Sequence, residues 1–417
     1  MDMPPRILYV CSHCPFAAGS GSQQRTLQIG RLLKRIGPVS MVLTSLAQWS
    51  EEELRQTAEA FDLRVVSRFL ATPLQGPWQR LRRELDPGYL NTHGFGVTDT
   101  AARRLQALAR EHDVVWIHTI RLANAFRLPS LANAVLDLDD VQSGYWRQAA
   151  RTSASWKQTL IARRLVWQWR RREKRALARF PILTVCSRED RAYLGNDPRI
   201  HVIPNGFALP AVVESHPDPA RPRLGIIGSF AFPPNIDGLQ WFLAEVWPRV
   251  KQAVPEAELR LVGAESDRLA AAAGDASVTG LGYVEDPGAE IASWSAFIVP
   301  LRLGAGTRVK IAESFARGCA TVSTSLGAFG YPVENGQEIL IADAPAAFAE
   351  ACRALLRDPA LRARIGRAGR DFFRANLSWD AIEPAVRATV EACLAQSEAG
   401  KAMGGAAKAV GEAGRAA

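Results

Sequence analysis

The segment from Pro300 to Gly318, Pro-Leu-Arg-Leu-Gly-Ala-Gly-Thr-Arg-Val-Lys-Ile-Ala-Glu-Ser-Phe-Ala-Arg-Gly, holds the residue types best suited to chemistry. An apolar run ending at Pro300 reads as a buried strand, Gly304, Ala305 and Gly306 form a loop of small residues, and a helix is predicted to begin near Thr307. That arrangement aims free backbone N–H groups and the positive end of the helix dipole at the crevice beyond the strands' carboxyl ends, where α/β sheets hold phosphates. Arg308 and Lys310 add two cations to the first turn. There they oppose the dipole and cost about 0.3 to 1 kcal/mol each unless an anion is present. A diphosphate would supply that anion. Glu313, deeper in the helix, can accept hydrogen bonds from a ribose or sugar hydroxyl; alternatively it pairs with Arg317 four residues on, for roughly a few tenths of a kcal/mol.

Other candidates are weaker taken singly. Gly228 and Ser229 close the strand that starts the C-terminal half and would let backbone and hydroxyl approach a phosphate or the transferred sugar, although glycine also ends strands for steric reasons. The loop Gly280 to Asp286, with Tyr283 and Val284, offers backbone groups to a nucleobase or is an ordinary turn. In the N-terminal half, Gly19, Ser20, Gly21 and Ser22 precede Arg25 in a further glycine loop. Asp139 and Asp140, in Asp137-Leu138-Asp139-Asp140, stand where a strand ends, so a carboxylate there can orient or deprotonate an acceptor hydroxyl. Solvation or helix capping is the alternative. His13, His93 and His118 suit the same task, His118 most of all because it follows the apolar run Val114 to Ile117. Cys11-Ser12-His13-Cys14 has redox or metal spacing but lacks a second ligand pair, and reads as a strand end and its loop.

These residues need a scaffold, and the chain has the length for one. At 417 residues it exceeds the size of a single core, which predicts two domains of roughly 200 residues. A hydrophobic share of 47% and a charged share of 22% exclude disorder as the default state. The net charge is +9, and between Arg151 and Arg179 ten cations stand against one anion, Glu173, so one helical stretch carries the whole excess. The six cysteines are scattered, which fits a reducing compartment. No apolar stretch reaches about 18 residues, and Ile7 to Cys11 is too short for a signal peptide. A cytoplasmic protein is expected, with peripheral attachment at the inner face of a membrane left open.

Short apolar runs alternate with helical patterns in both halves. Ile7 to Val10, Val39 to Leu43, Val114 to Ile117, Ala134 to Leu136 and Ile182 to Val185 are predicted parallel strands, and so are Leu224 to Gly228, Glu258 to Val262, Val278-Thr279, Ala296 to Pro300, Thr321 to Ser323 and Ile339 to Ile341. Residues 72–91 read as a loop or short-helix insertion. Prolines 210, 217, 219 and 222 mark a linker at residues 206–222 between domains 1–205 and 223–378. Residues 397–417, without a periodic apolar face, are predicted to be a disordered tail.

At this point the sequence resembles the retaining, GT-B-fold group 1 glycosyltransferases, especially the branch making bacterial cell-surface or exopolysaccharide sugars. The resemblance rests on Pro204-Asn205-Gly206, the Gly228 loop with Pro234-Asn235, Leu261-Val262-Gly263, Gly280 to Asp286, Pro300 through Gly318 and Thr324 to Gly330. It extends more loosely to Ile7 to Val10, the glycine loop with Arg25, and Leu136 to Val141. It implies a GT-B architecture of two Rossmann-like parallel-sheet domains facing each other across a cleft. The first would be the acceptor side and the second the donor side, with a C-terminal helix at 379–396 crossing back to the first.

The resemblance further implies that Glu313 binds the donor ribose as the second glutamate of a Glu-x7-Glu pair, and that Arg308 and Lys310 stabilise the departing diphosphate. The first glutamate is absent, because Ala305 stands at its position; backbone N–H groups from Gly304 to Thr307 can take over part of its contact. The implied partners are a nucleotide-diphosphate sugar as donor and a hydroxyl acceptor, with no metal and no further cofactor. A GT-B scaffold that only binds a glycan or nucleotide is the alternative. A dehydrogenase is disfavoured, since Gly19-Ser20-Gly21 leads to Gln24 where a third glycine is needed. Nucleic-acid binding is disfavoured because no recognition module accompanies the basic stretch. That stretch, with Trp156, Trp167 and Trp169 interleaved, would suit an anionic membrane surface or a solvated helix face.

Overall fold

The structure is a computed structural model that describes residues 3–16, 21–45, 48–71, 76–88, 95–152, 155–210, 217–218, 220–304 and 306–413. The chain separates into two compact units, one of Met1–Trp146, Leu160–Ile203 and Glu383–Ala417, the other of Arg147–Thr159 and Pro204–Ile382.

In the first unit the strands are β1 (Ile7–Cys11), β2 (Val39–Ser45), β3 (Asp62–Arg68), β4 (Leu70–Ala71), β5 (Phe95–Gly96), β6 (Val114–His118), β7 (Ala134–Asp137), β8 (Ile182–Val185) and β9 (Ile200–Val202). Seven of them form a sheet in the order β3-β2-β1-β6-β7-β8-β9, with every adjacent pair parallel. β1 and β6 are buried along their whole length, as strands covered by helices on both faces must be. Their continuous apolar character made them legible. β3 is the edge strand; its alternating exposure matches its mixed sequence, which offered no apolar run to read. The core joins Leu8, Val10, Ile117 and Leu136 of the sheet to Leu105 and Trp169 of the covering helices and to Phe180, just past the end of the second.

The second unit contains β10 (Arg223–Ile227), β11 (Glu258–Val262), β12 (Val278–Gly280), β13 (Ala296–Val299), β14 (Thr321–Ser323) and β15 (Leu340–Ile341). They lie in the order β12-β11-β10-β13-β14-β15, again all parallel. One face packs on Phe242, Trp247 and Phe348, the other on Trp294, Ile311 and Phe315. The helix Pro233–Trp241 passes through a π-helical turn, Phe242–Val246, into Trp247–Ala253. Pro248, which has no N–H to donate, sits where the register slips.

Chain connections differ in detail from the sequence reading. The units divide between Ile203 and Pro204, just before the expected linker, of which residues 211–216 and 219 lie outside the described residues. The insertion at 72–91 contains the helix Pro77–Leu85. One helix runs from Trp379 to Ala413, through the first part of the predicted disordered tail, while residues 414–417 lie outside the described residues. Alanine's high helix propensity lets a helix continue without the apolar periodicity the sequence reading required. Within the first unit Val386, Val390 and Cys393 of this helix are buried, and Thr389 Oγ1 lies 2.9 Å from His201 Nδ1.

Gly225, in the middle of β10, lies beneath Trp294, and an added Cβ would fall 2.1 Å from the indole ring. That ring is fixed by its Nε1–H donating to Glu290 (2.9 Å), which also accepts from Arg260 Nε (2.8 Å). Gly225→Ala is expected to overpack this site and destabilise the unit by about 1 to 3 kcal/mol. Urea unfolding would show it as a lower midpoint at unchanged slope.

Candidate functional site

The second unit gathers its candidate residues where β10 and β13 end side by side. β10 stops at Ile227, and Gly228 follows at φ +151°; β11 is followed by Gly263 at φ +128°. A Cβ on Gly263 would fall 2.1 Å from the Gly228 carbonyl oxygen, so these two loops approach as closely as backbone allows. Ser229 is exposed, and its carbonyl accepts from Asn235 Nδ2 at 2.7 Å. Asn235 Oδ1 in turn accepts from Lys310 Nζ at 2.9 Å. One amide therefore links the Gly228 loop to the cation of the loop after β13.

That second loop starts the helix Val309–Ala316, two residues later than expected, with Arg308 at the N-cap and no side-chain cap bond. No described side chain caps the helix start, a position suited to an anion. Gly304 has φ +136°, and a Cβ there would fall 2.1 Å from Arg308 Nη2; only glycine lets the guanidinium lie against the loop. Thr307 is buried, and its Oγ1 has no hydrogen-bond partner among the described residues, an orphan of the kind ligands satisfy. Gly306 is buried at φ +71°. Ala305 lies outside the described residues.

Electrostatics sharpen the picture. Burial, and then the charge of Arg308, pull the Lys310 ammonium down to about 8. Burial pushes the Glu313 carboxyl up against the opposing pull of Arg317. Arg317 Nη2 lies 3.3 Å from Glu313 Oε1 and 3.8 Å from Asp286 Oδ1, so the i+4 pair considered from the sequence forms. It ties the helix to the Gly280–Asp286 loop, where Tyr283 is exposed and Val284 half-buried.

In the first unit the ends of β1 and β6 present His13 and His118 with ring centroids 5.7 Å apart, nearly edge to face. His118 is 1% exposed, and neither ring nitrogen has a hydrogen-bond partner among the described residues; its Nε2 stands 3.6 Å from Asp139 Oδ2. Burial, followed by His118, lowers His13 to about 4, so it is neutral near pH 7. For Asp139 burial opposes ionisation, but His118 and Arg25 outweigh it and hold the carboxyl below its ordinary range. Thr119 (φ +77°) and Asp139 (φ +56°) both take left-handed backbone after strand ends, a strained geometry that proteins retain at functional positions.

The aspartates separate into different tasks. Asp137 is fully buried and accepts from Arg25 Nη2 (3.1 Å), Arg25 Nε (3.3 Å) and Thr184 Oγ1 (2.8 Å). Arg25 also lies 3.6 Å from Asp139 Oδ1, which accepts from the Cys186 thiol at 3.2 Å. Arg25, grouped in the sequence with the glycine loop, lies in the helix Gly21–Ile36 and is 1% exposed, turned onto the sheet. Gly21 begins that helix; Gly19, Ser20 and His93 lie outside the described residues. Asp140 is half-buried, and its carboxylate lies within 4.8 Å of ligand atoms of Asp139 and Cys186. Cys11 and Cys14 are free thiols with different neighbours, Val42 O at 3.8 Å and Thr57 Oγ1 at 3.3 Å, as the strand-end reading expects.

Thr184 is a site residue of which the sequence carries no sign, and Asn235, noted there only within the Gly228 motif, acquires its bridging role in the structure. Asn235 follows Pro233-Pro234 at a helix start, and that Pro-Pro-Asn is the one local signal for it.

Residues 221–358 match the family described as "Glycosyl transferases group 1". An uncharacterised 44.6 kDa protein in the cps region of Klebsiella pneumoniae is 27% identical over 133 residues, 30% of this chain; the chain spans 34% of that relative's length. Three solved structures are similar across nearly the whole chain. Sucrose-phosphate synthase from Thermosynechococcus elongatus is 17% identical with a TM-score of 0.63, covering 91% of this chain and 96% of its own. Anabaena Alr3699/HepE in complex with UDP and glucose is 14% identical with a TM-score of 0.62, covering 93% and 99%. A TarM mutant from S. aureus, in complex with Fondaparinux, alpha-GlcNAc-glycerol and UDP, is 10% identical with a TM-score of 0.63, covering 93% and 99%. The chain has the GT-B fold of these glycosyltransferases.

Asp137→Ala would leave the Arg25 guanidinium buried without its main counter-charge. A loss of about 3 to 5 kcal/mol is expected in chemical denaturation; a loss below 1 kcal/mol would show that Asp139 alone suffices.

Proposed function

We propose that the protein transfers a sugar from a nucleotide-diphosphate donor to an acceptor hydroxyl, with retention at the anomeric carbon, in the making of a bacterial surface polysaccharide. The observation that carries this reading is the cationic helix start at the end of β13. Lys310 is held by Asn235 beside Gly228, Arg308 lies against Gly304, and Thr307 Oγ1 is left open. The family match over residues 221–358 covers all of these groups and supports the reading.

A diphosphate placed there gains negative charge as the glycosidic bond breaks. Lys310 and Arg308, with the N–H groups of the helix start, stabilise that charge better in the transition state than in the ground state. Glu313 accepts from a donor hydroxyl while Arg317, 3.3 Å away, opposes the upward push of burial on its carboxyl, and the exposed Tyr283 offers a stacking face to the base. In the first unit His118 and Asp139 orient the acceptor hydroxyl or take its proton, with Asp140 beside them. The reading invokes no metal and no cofactor besides the donor, no nucleic-acid partner, and a cytoplasmic location. Replacement of the first glutamate of the pair by Ala305 favours a second reading, a scaffold that binds donor or glycan without turnover.

Transfer and hydrolysis assays with a panel of nucleotide sugars separate the two, since a pure binder shows a thermal shift without product. Glu313→Gln removes a charge-assisted hydrogen bond and should lower donor affinity or rate about 10- to 100-fold; unchanged kinetics would take Glu313 out of the site. The Lys310 ammonium, lowered to about 8, is charged below that pH and neutral above it. Nucleoside-diphosphate affinity should hold below pH 8 and fall as pH rises through it, whereas Lys310→Arg should carry binding to higher pH. Calorimetric titration across that range reads both.

A further inference from the structure

We propose that the first unit docks on an anionic lipid bilayer through the helix Pro77–Leu85 and the outer face of the helix Trp156–Arg179. On the first helix Trp78, Leu81 and Leu85 recur at helical spacing and stand 80%, 46% and 47% exposed. That is the apolar stripe an ordinary surface helix buries, here turned to solvent. The helix is latched in place: Glu84 accepts from Arg164 Nε at 2.9 Å and Nη2 at 2.7 Å, and from Gln168 Nε2. The stripe is therefore presented by a fixed element.

The second helix continues the same character. Leu160, Ile161 and Trp167 are exposed among Arg163, Arg170, Arg171 and Lys174, and the Arg171 guanidinium lies 4.7 Å from the centre of the Trp167 ring. Trp169 faces inward and is buried, with Arg121 and Arg172 over its ring. The tryptophans read together from the sequence thus divide: Trp167 belongs to the outer face and Trp169 to the core. Large apolar and indole side chains set in a field of arginine and lysine are the composition of an element lying in the interfacial plane of an anionic membrane, with its apolar groups below the headgroups and its cations among them. Among the described residues no helix is long and apolar enough to cross a membrane. A second copy of the chain is a poor occupant, because a two-fold contact sets this cationic patch against itself.

The test is co-sedimentation of the full chain with vesicles of phosphatidylglycerol and phosphatidylcholine, against vesicles of phosphatidylcholine alone. Wild type should pellet with the anionic vesicles only, and less so at high salt. Arg170→Gln with Arg171→Gln and Lys174→Gln should lower the partition coefficient on the order of 100-fold. Trp78→Ala with Leu81→Gln and Leu85→Gln should lower it at least about 10-fold. All six positions are exposed, so the thermal midpoint should not move. A reading independent of these variants is quenching of tryptophan emission by brominated lipid, strong in wild type and weaker in Trp78→Phe. Wild type that stays in the supernatant, variants that pellet equally, quenching that ignores Trp78, or a dimer abolished by the Trp78 change with pelleting intact would each overturn the proposal.

Discussion

Parallel strands put all their carboxyl ends on one edge of a sheet, and where the strand order reverses the crossover connections leave in opposite directions and open a crevice. Both units meet this constraint in the same way. In the first the reversal falls between β1 and β6, in the second between β10 and β13. Candidates for chemistry stand on these edges in both units: His13 and His118 in one, Gly228, Thr307, Arg308 and Lys310 in the other. The strands bring their own ends together, and the loops need only carry suitable residues.

The two edges treat buried charge differently. In the first unit Arg25 meets two carboxylates, and Asp137 is saturated by Arg25, Thr184 and the Asp139 N–H. Such an interior is self-contained. In the second unit Lys310 makes no ion pair among the described residues, its hydrogen-bond partner is the neutral amide of Asn235, and the nearby carboxylate of Glu313 is engaged by Arg317. A cation left to a neutral partner in a partly buried place is the electrostatic signature of a site completed by an incoming anion.

The sequence exposed the strands because burial on both faces demands continuous apolar runs, and Ile7–Cys11, Val114 to Ile117 and Ala296–Val299 show such runs openly. β3 stayed hidden because an edge strand is covered on fewer sides and mixes its residues. The Gly304–Lys310 loop was legible for a related reason, since small residues beside cations have few other uses at a strand end. Asn235 was not, because its role depends on a helix bringing it back beside Lys310, 75 residues later in the chain. The partners of Arg25 were hidden on the same ground. Nothing near it in sequence announces Asp137 or Thr184, and a guanidinium after a glycine loop reads as exposed until the tertiary partners are in place. The outward stripe of Trp78, Leu81 and Leu85 could not be told from an inward one by spacing, which gives a face but not its direction.

Arg25 also donates from Nη1 to the carbonyl oxygen of Ile203 at 3.1 Å. Ile203 is the last residue of its unit before the chain passes to Pro204 and the other. The departing strand is thus moored to the helix Gly21–Ile36 and, through Asp137, to the middle of the sheet. Proline beyond it has no N–H to extend the ladder, so the polypeptide leaves this sheet from a quay held by a buried ion pair.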